Sequence, residues 1–274
     1  MNRYRPARRC APRLRLFVLG IAGFAAAALA QINPAAKESE EVGVTATSAT
    51  SIEVATIKIH DPNSSYNNFR FSRDRVSFDK QTVSRLMTFA YAINKAQIVG
   101  APDWIWKTEF DIDGKTTADA DPSVPEQQRM MRQLLADRFG LRFHQEKREL
   151  PVYALQVAKG GPRLTPAANA GAQPLERSNG HGYQTTQIYT SNAISDFVVV
   201  MQFFVDRPII DQTDLQGRYD FQLSYTYGDS PNPDPDAPPA LFTAVQEQLG
   251  LKLQPTKAAT EVLVVESIEQ PTPN

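Results

Sequence analysis

The chain has a single cysteine among 274 residues, Cys10, and only three histidines and two tryptophans. Past residue 10 there is no sulfur for a disulfide or a thiol nucleophile, so the fold is held by apolar burial and hydrogen bonding alone. The histidines, His60, His144 and His181, fall in no H-E-x-x-H or comparable metal spacing. G-x-S-x-G and glycine-rich phosphate loops are missing, so the nucleophile-elbow and nucleotide signatures are excluded. Long apolar runs are missing too. The best, "LFVLGIAGFAAAALA", offers about 15 apolar residues where a membrane span needs about 20.

That run sits behind "MNRYRPARRCAPRLR", six arginines with no acid, and ends at Ala28-Leu29-Ala30. A positive segment, a short apolar segment and an A-x-A site describe a signal peptide over residues 1–30, and so an exported protein, periplasmic or extracellular, with no membrane span after cleavage. No cysteine follows the run, which argues against a lipid anchor. Arg8-Arg9 resembles a twin-arginine signal, but the residues after it do not continue the pattern. Without residues 1–30 the chain keeps 23 basic and 30 acidic residues, a net charge of −7. That balance disfavours nucleic acid and anionic lipid as partners. Residues 31–50 are small and polar and read as a flexible leader.

The remainder is written twice. "FGLRFHQEKRELPVYALQV" (139–157) lies without gaps on "LGLKLQPTKAATEVLVVES" (249–267), a shift of 110. "VSRLMTFAYAINKAQIVGAPDWIWKTEFDI" (83–112) lies on "ISDFVVVMQFFVDRPIIDQTDLQGRYDFQL" (194–223), a shift of 111. The linkers "GKTTADADPSVP" and "GDSPNPDPDAPP" fall between these blocks in matching places. Leu86, Met87, Phe89, Ala90 and Ile93 repeat at helical spacing, and so do Ile194, Phe197, Val198, Met201 and Phe204. Ser123 with Glu126 forms a capping box, and Gly140 and Gly250 stop the next two helices. Two strands are expected after each glycine, "LRFHQ" then "VYALQVA", and "LKLQP" then "EVLVVES". The expected architecture is α+β: two related modules, 51–160 and 161–270, each with small mixed sheets covered by helices.

"RPIIDQTDLQGRYDF" places Asp211, Asp214 and Asp220 within ten positions. Three acids around a turn could bind a metal or serve a hydrolase. However, the first copy has Gly100 opposite Asp211 and keeps only Asp103 and Glu109, so turn chemistry is favoured, with Asp214 and Asp103 as Asx-turn residues. His144 reads as a solvated strand residue and His181 as a loop residue. Trp104 and Trp106 either form a ligand platform or plug the end of a core. "RFSRDR" (70–75) reads as a charged hairpin edge.

The blocks "MMRQLLADRFGLRFHQEKRELPVYALQVAKGGPRL" and "RPIIDQTDLQGRYDFQLSY" resemble a secreted family of soil bacteria classed as a domain of unknown function. Its usual signatures are "DRFxLxxHxExxELPVYxLxVAKxGPKL" and "DxTGLxGxYDFxLxW". Asp214 here stands where that family commonly has Gly, and Tyr225 where it has Trp. Relatives also occur as extracellular extensions of membrane metallopeptidase-type sensors, so the resemblance implies a sensing or binding role and carries over no catalytic residue. Residues 194–268 are also similar in element order to the short periplasmic domains of secretins and TonB-dependent receptors. The resulting expectation is a non-catalytic binding module of the cell envelope without a cofactor or metal. Its partner would be an envelope protein or wall component, met through edge strands and the groove between modules, with Trp104, Trp106, Asp214 and Asp220 as possible contacts. The alternative is a secreted hydrolase acting through Asp211, Asp214 and Asp220.

Overall fold

The computed structural model describes residues 51–118, 120–181, 183–226 and 237–271. The segments expected to be a signal peptide and a leader, 1–30 and 31–50, and most of the Pro/Asp stretch 228–239 lie outside the described residues. β1 (Ile52–Ile59) is followed by the hairpin of β2 (Asn68–Phe71) and β3 (Arg75–Thr82), closed by Ser72 N–H donating to Arg75 O at 2.8 Å. α1 (Val83–Tyr91) begins where Thr82 Oγ1 accepts from Arg85 N, and buries Leu86, Met87 and Ala90. A 3-10 turn (Lys95–Gln97) leads to β4 (Ile98–Val99), the one-turn α2 (Trp104–Lys107) and β5 (Glu109–Thr116). α3 (Val124–Phe139) opens with the capping box: Ser123 N and Oγ both donate to Glu126 Oε2, at 2.8 and 2.6 Å. It closes at Gly140 with φ +58°, and β6 (Arg142–Val157) follows.

The second half runs β7 (Thr165–Pro166), β8 (Leu175–His181), β9 (Gln184–Asn192), α4 (Ile194–Met201) and β10 (Ile209–Asp211), then β11 (Tyr219–Thr226), α5 (Leu241–Leu249) and β12 (Leu251–Ser267). The expected helices at 83 and 194 are present, as is the glycine stop of α5 at Gly250, φ +65°.

Three four-stranded sheets result, and the α+β class holds. One flanking sheet has the order β1-β5-β3-β2 and the other β7-β11-β9-β8. Their ladders are antiparallel, whereas parallel and antiparallel pairing mix in the central sheet, β10-β6-β12-β4. Element by element, the two flanking sheets are built in the same order. The central sheet crosses the halves. β4 pairs with β12 through Ile98–Leu263, and β10 pairs with β6 through Ile209–Tyr153. Those two pairs are related by the same shifts, 111 and 110, that relate the halves in sequence. At the middle of the β6–β12 ladder Glu149 faces Ala259, again 110 positions apart.

The cores are shared in the same way. Leu263 and Val265 of β12 complete the core of α1, α3, β1, β3 and β5. Tyr153 and Leu155 of β6 complete the core of α4, α5, β9 and β11. Each such buried aliphatic side chain contributes about 1.5–3 kcal/mol, so either half alone would leave a seam of its own core in water.

Two local expectations change. "LRFHQ" and "VYALQVA" are one strand, β6, and the pair after Gly250 is one strand, β12. The middle of each is paired residue by residue across the β6–β12 ladder, so no break separates two strands. Pro151 and Pro255 are tolerated because β10 and β4 flank only residues 153–155 of β6 and 263–264 of β12, so beyond those the outer edges carry no ladder. His181 closes strand β8 by pairing with Gln184, where a loop was expected.

Candidate functional site

Asp220 is a bracing residue. β3 and β9 each carry a bulge, at Lys80 (φ +57°) and Ser191 (φ +55°), positions 111 apart. A bulge leaves its N–H without a ladder partner, and a carboxylate from the neighbouring strand takes it. Asp111 Oδ1 accepts from Lys80 N at 3.0 Å, and Asp220 Oδ1 accepts from Ser191 N at 2.7 Å. Asp220 Oδ2 also accepts from Ala168 N at 3.0 Å. These backbone donors hold the Asp220 carboxyl below its usual range, Ser191 contributing most.

Asp211 Oδ1 accepts from Thr213 N at 2.9 Å and from Thr213 Oγ1 at 2.7 Å. The Asx-turn therefore belongs to Asp211, and the assignment of that role to Asp214 and Asp103 is corrected. Asp214 instead occupies the left-handed region, φ +57°, and Asp103 pairs with Lys107 at 2.8 Å on the surface. A positive φ at 214 is a physical reason for the glycine common in the resembling family, since only small or Asx-type residues enter that region cheaply. The acids of 211–220 thus serve separate backbone groups. Among the described residues no group of three His, Cys, Asp or Glu is placed to hold a metal ion.

Both ring nitrogens of the buried His60 are engaged, Nδ1 with Asp111 Oδ1 at 2.6 Å and Nε2 with the Ser64 carbonyl at 3.1 Å. Two acceptors demand two N–H donors, which is the imidazolium. Its pKa is raised, chiefly by Asp111. Surface area leaves His60 6 % exposed, and with both nitrogens occupied it has no free lone pair for base catalysis. His144 bridges Glu146 (3.0 Å) and Glu266 (2.8 Å) in the open, and its pKa is raised by them. Trp104 and Trp106 are half-buried against the first core, Trp104 edge-on to Phe110 with centroids 6.2 Å apart.

A cleft forms elsewhere. Ser84, Arg85, Thr88, Lys95, Gln202 and Phe203 line a half-open groove of about 160 Å³. Four of them come from the first half and two from the second. Asn94, fully buried, fixes this junction: its Nδ2 donates to Gln202 O at 2.9 Å and to Val205 O at 3.0 Å. Asn94 and Val205 are 111 positions apart. Gln202 is locked by Ile209, which it meets through Oε1 at 3.3 Å and Nε2 at 3.4 Å. Ser84 Oγ lies 3.0 Å from Thr82 Oγ1, and Thr88 Oγ1 donates to Ser84 O at 3.0 Å. The guanidinium of Arg85 sits 5.9 Å from the Phe203 ring centroid. By area Arg85 is exposed, yet the protein atoms around its head group depress its pKa by desolvation. None of Asp211, Asp214 and Asp220 lines this groove, nor do Trp104 and Trp106. The signal that would have found it lies in the alignment of residues 83–112 with 194–223. Arg85 and Lys95 lie opposite Asp196 and Asp206.

An α+β protein with a central sheet shared by two like-ordered halves, and a groove at their junction, is the class these features define. The chain belongs to the family described as Protein of unknown function (DUF3738), which matches residues 84–268. The matched region begins in the first turn of α1 and includes every groove residue. No curated protein and no solved structure matches the chain.

Proposed function

We propose that this is an exported, non-catalytic binding module of the cell envelope, made from one α/β unit doubled in sequence, with the groove between the halves as its contact surface. One observation carries the reading. The residues that line the groove come from both halves, at a junction held by the buried Asn94, where the halves meet through positions related by the repeat. Support for the doubling comes from the equivalent pairs Ile98–Leu263 and Ile209–Tyr153 and from the matched bulges at Lys80 and Ser191. Export rests on the 1–30 signal pattern. Among the described residues β1 and β8 stand at sheet edges, and with Ile59 61 % exposed they suit a partner that adds a strand.

A photo-crosslinking residue at position 203, tested in envelope extract, captures a defined envelope protein or wall component, while one at Tyr66 does not. Equal capture at both positions, or none at either with folded protein, contradicts the proposal. Mass spectrometry of the exported protein is expected to find Gln31 as its first residue.

A further inference from the structure

Resting on that reading, we infer that the groove takes a small oxyanion, a phosphate or carboxylate group, between Arg85 and Lys95. Both cations border the groove, and no Asp or Glu lines it. Among the described residues neither has a carboxylate within ion-pair distance to compete with a bound anion. Arg85 is instead packed over Phe203 in surroundings that disfavour its charge. An anion supplied from outside relieves that cost.

The position of Arg85 is itself informative. It is the third residue of α1, where the helix field favours an acid. The equivalent residue of α4, Asp196, obeys the rule, its Oδ2 accepting from Ala193 N at 2.9 Å. The first copy therefore forgoes a favourable cap and puts a cation at the groove. Lys95 repeats the inversion opposite Asp206, which is occupied by the Tyr153 hydroxyl at 2.9 Å and by Arg207. The carbonyl end of α4 would repel an anion, but Asn94 covers Gln202 O and Val205 O. Ser84 Oγ adds a hydroxyl to the wall of the groove. The groove, about 160 Å³ and half open, has room for a phosphate or for a terminal carboxylate with its adjoining carbon.

The test is an NMR titration of the exported chain with sodium phosphate, sodium acetate and, as the control, sodium chloride of matched ionic strength. Saturable shifts at the amides of Ser84–Thr88, Lys95 and Gln202–Phe203 with phosphate or acetate, beyond those with chloride, support the inference, and the stronger arm identifies the group. Arg85→Gln is expected to weaken binding at least about tenfold. Lys95→Gln, on an exposed turn, does the same should Arg85→Gln fail to fold, and Arg148→Gln changes nothing. Shifts absent in both arms, or unaltered in both groove variants, overturn it. Crosslinking at position 203 that persists in Arg85→Gln without anion binding would leave the binding module standing and the oxyanion site refuted.

Discussion

Gly140 and Gly250 occupy equivalent positions and have similar backbone angles, φ +58° and +65°, yet the structure gives them unequal consequences. A Cβ on Gly140 meets nothing within 4 Å. Gly140→Ala then carries only left-handed strain, partly offset by a stiffer unfolded chain, about 1 kcal/mol in all. A Cβ on Gly250 would lie 2.1 Å from Gly161 O and 3.0 Å from Arg163 N. Both are backbone atoms that cannot rotate aside. The 158–163 turn must move by about 1 Å to reach ordinary contact distance. That movement disturbs Ala158 N–H to Gly250 O (2.8 Å) and Arg163 N–H to Leu249 O (2.8 Å). At about 1 kcal/mol per bond, Gly250→Ala costs about 2 kcal/mol more than Gly140→Ala, or about 3 kcal/mol. Urea unfolding of both variants with unchanged m-values measures the difference. Equal midpoints would show that the turn is not packed on Gly250, and the reasoning would fail.

Four further outcomes follow from the geometry. Asp214→Gly removes a left-handed side chain and stabilises by about 0.5 kcal/mol in thermal melts, the relief of strain exceeding the added unfolded-state entropy. Asn94→Ala strands the Gln202 and Val205 carbonyls and costs about 2–3 kcal/mol by denaturant unfolding. His60, with its folded pKa raised, adds stability that is fully present below its unfolded value of about 6.5 and is lost as pH rises through the folded value. Replacing it with Gln flattens that part of a stability–pH profile, and His144→Gln acts in the same direction. Asp220, with its pKa lowered, contributes above its unfolded value and is lost as pH falls through the folded one. Asp220→Asn therefore lowers the melting temperature at neutral pH and blunts the acid limb. An unchanged limb would remove Asp220 as the bulge brace.

What was legible in the sequence was local. Ser123 and Glu126 announce a helix start because the cap is a contact between near neighbours, and Gly140 and Gly250 announce stops because their conformation is their own. The spacing of elements was legible as well, since Ile98 and Ile209 lie equally far from the starts of the helices before them. The pairing was not. Nothing in "QIVG" says that Ile98 joins Leu263, 165 positions away, rather than a strand of its own half. Nor does "HQEKRELP" show that one strand runs through it, because cross-strand partners such as Lys257 near Glu149 (3.9 Å) are invisible along the chain. The groove is hidden for a related reason. Asp211, Asp214 and Asp220 cluster along the chain, whereas Arg85, Lys95 and Phe203 are brought together only by the meeting of α1 with the end of α4.

The interleaving of the halves can be measured with two fragments, residues 51–160 and 161–271, prepared separately and then mixed. Each alone lacks the strand that closes its core, so each should show an amide NMR spectrum of a largely unfolded chain, and an equimolar mixture should recover the spectrum of the intact protein. Two fragments that each fold cooperatively in isolation, and do not associate, would contradict the shared central sheet and with it the groove at its junction.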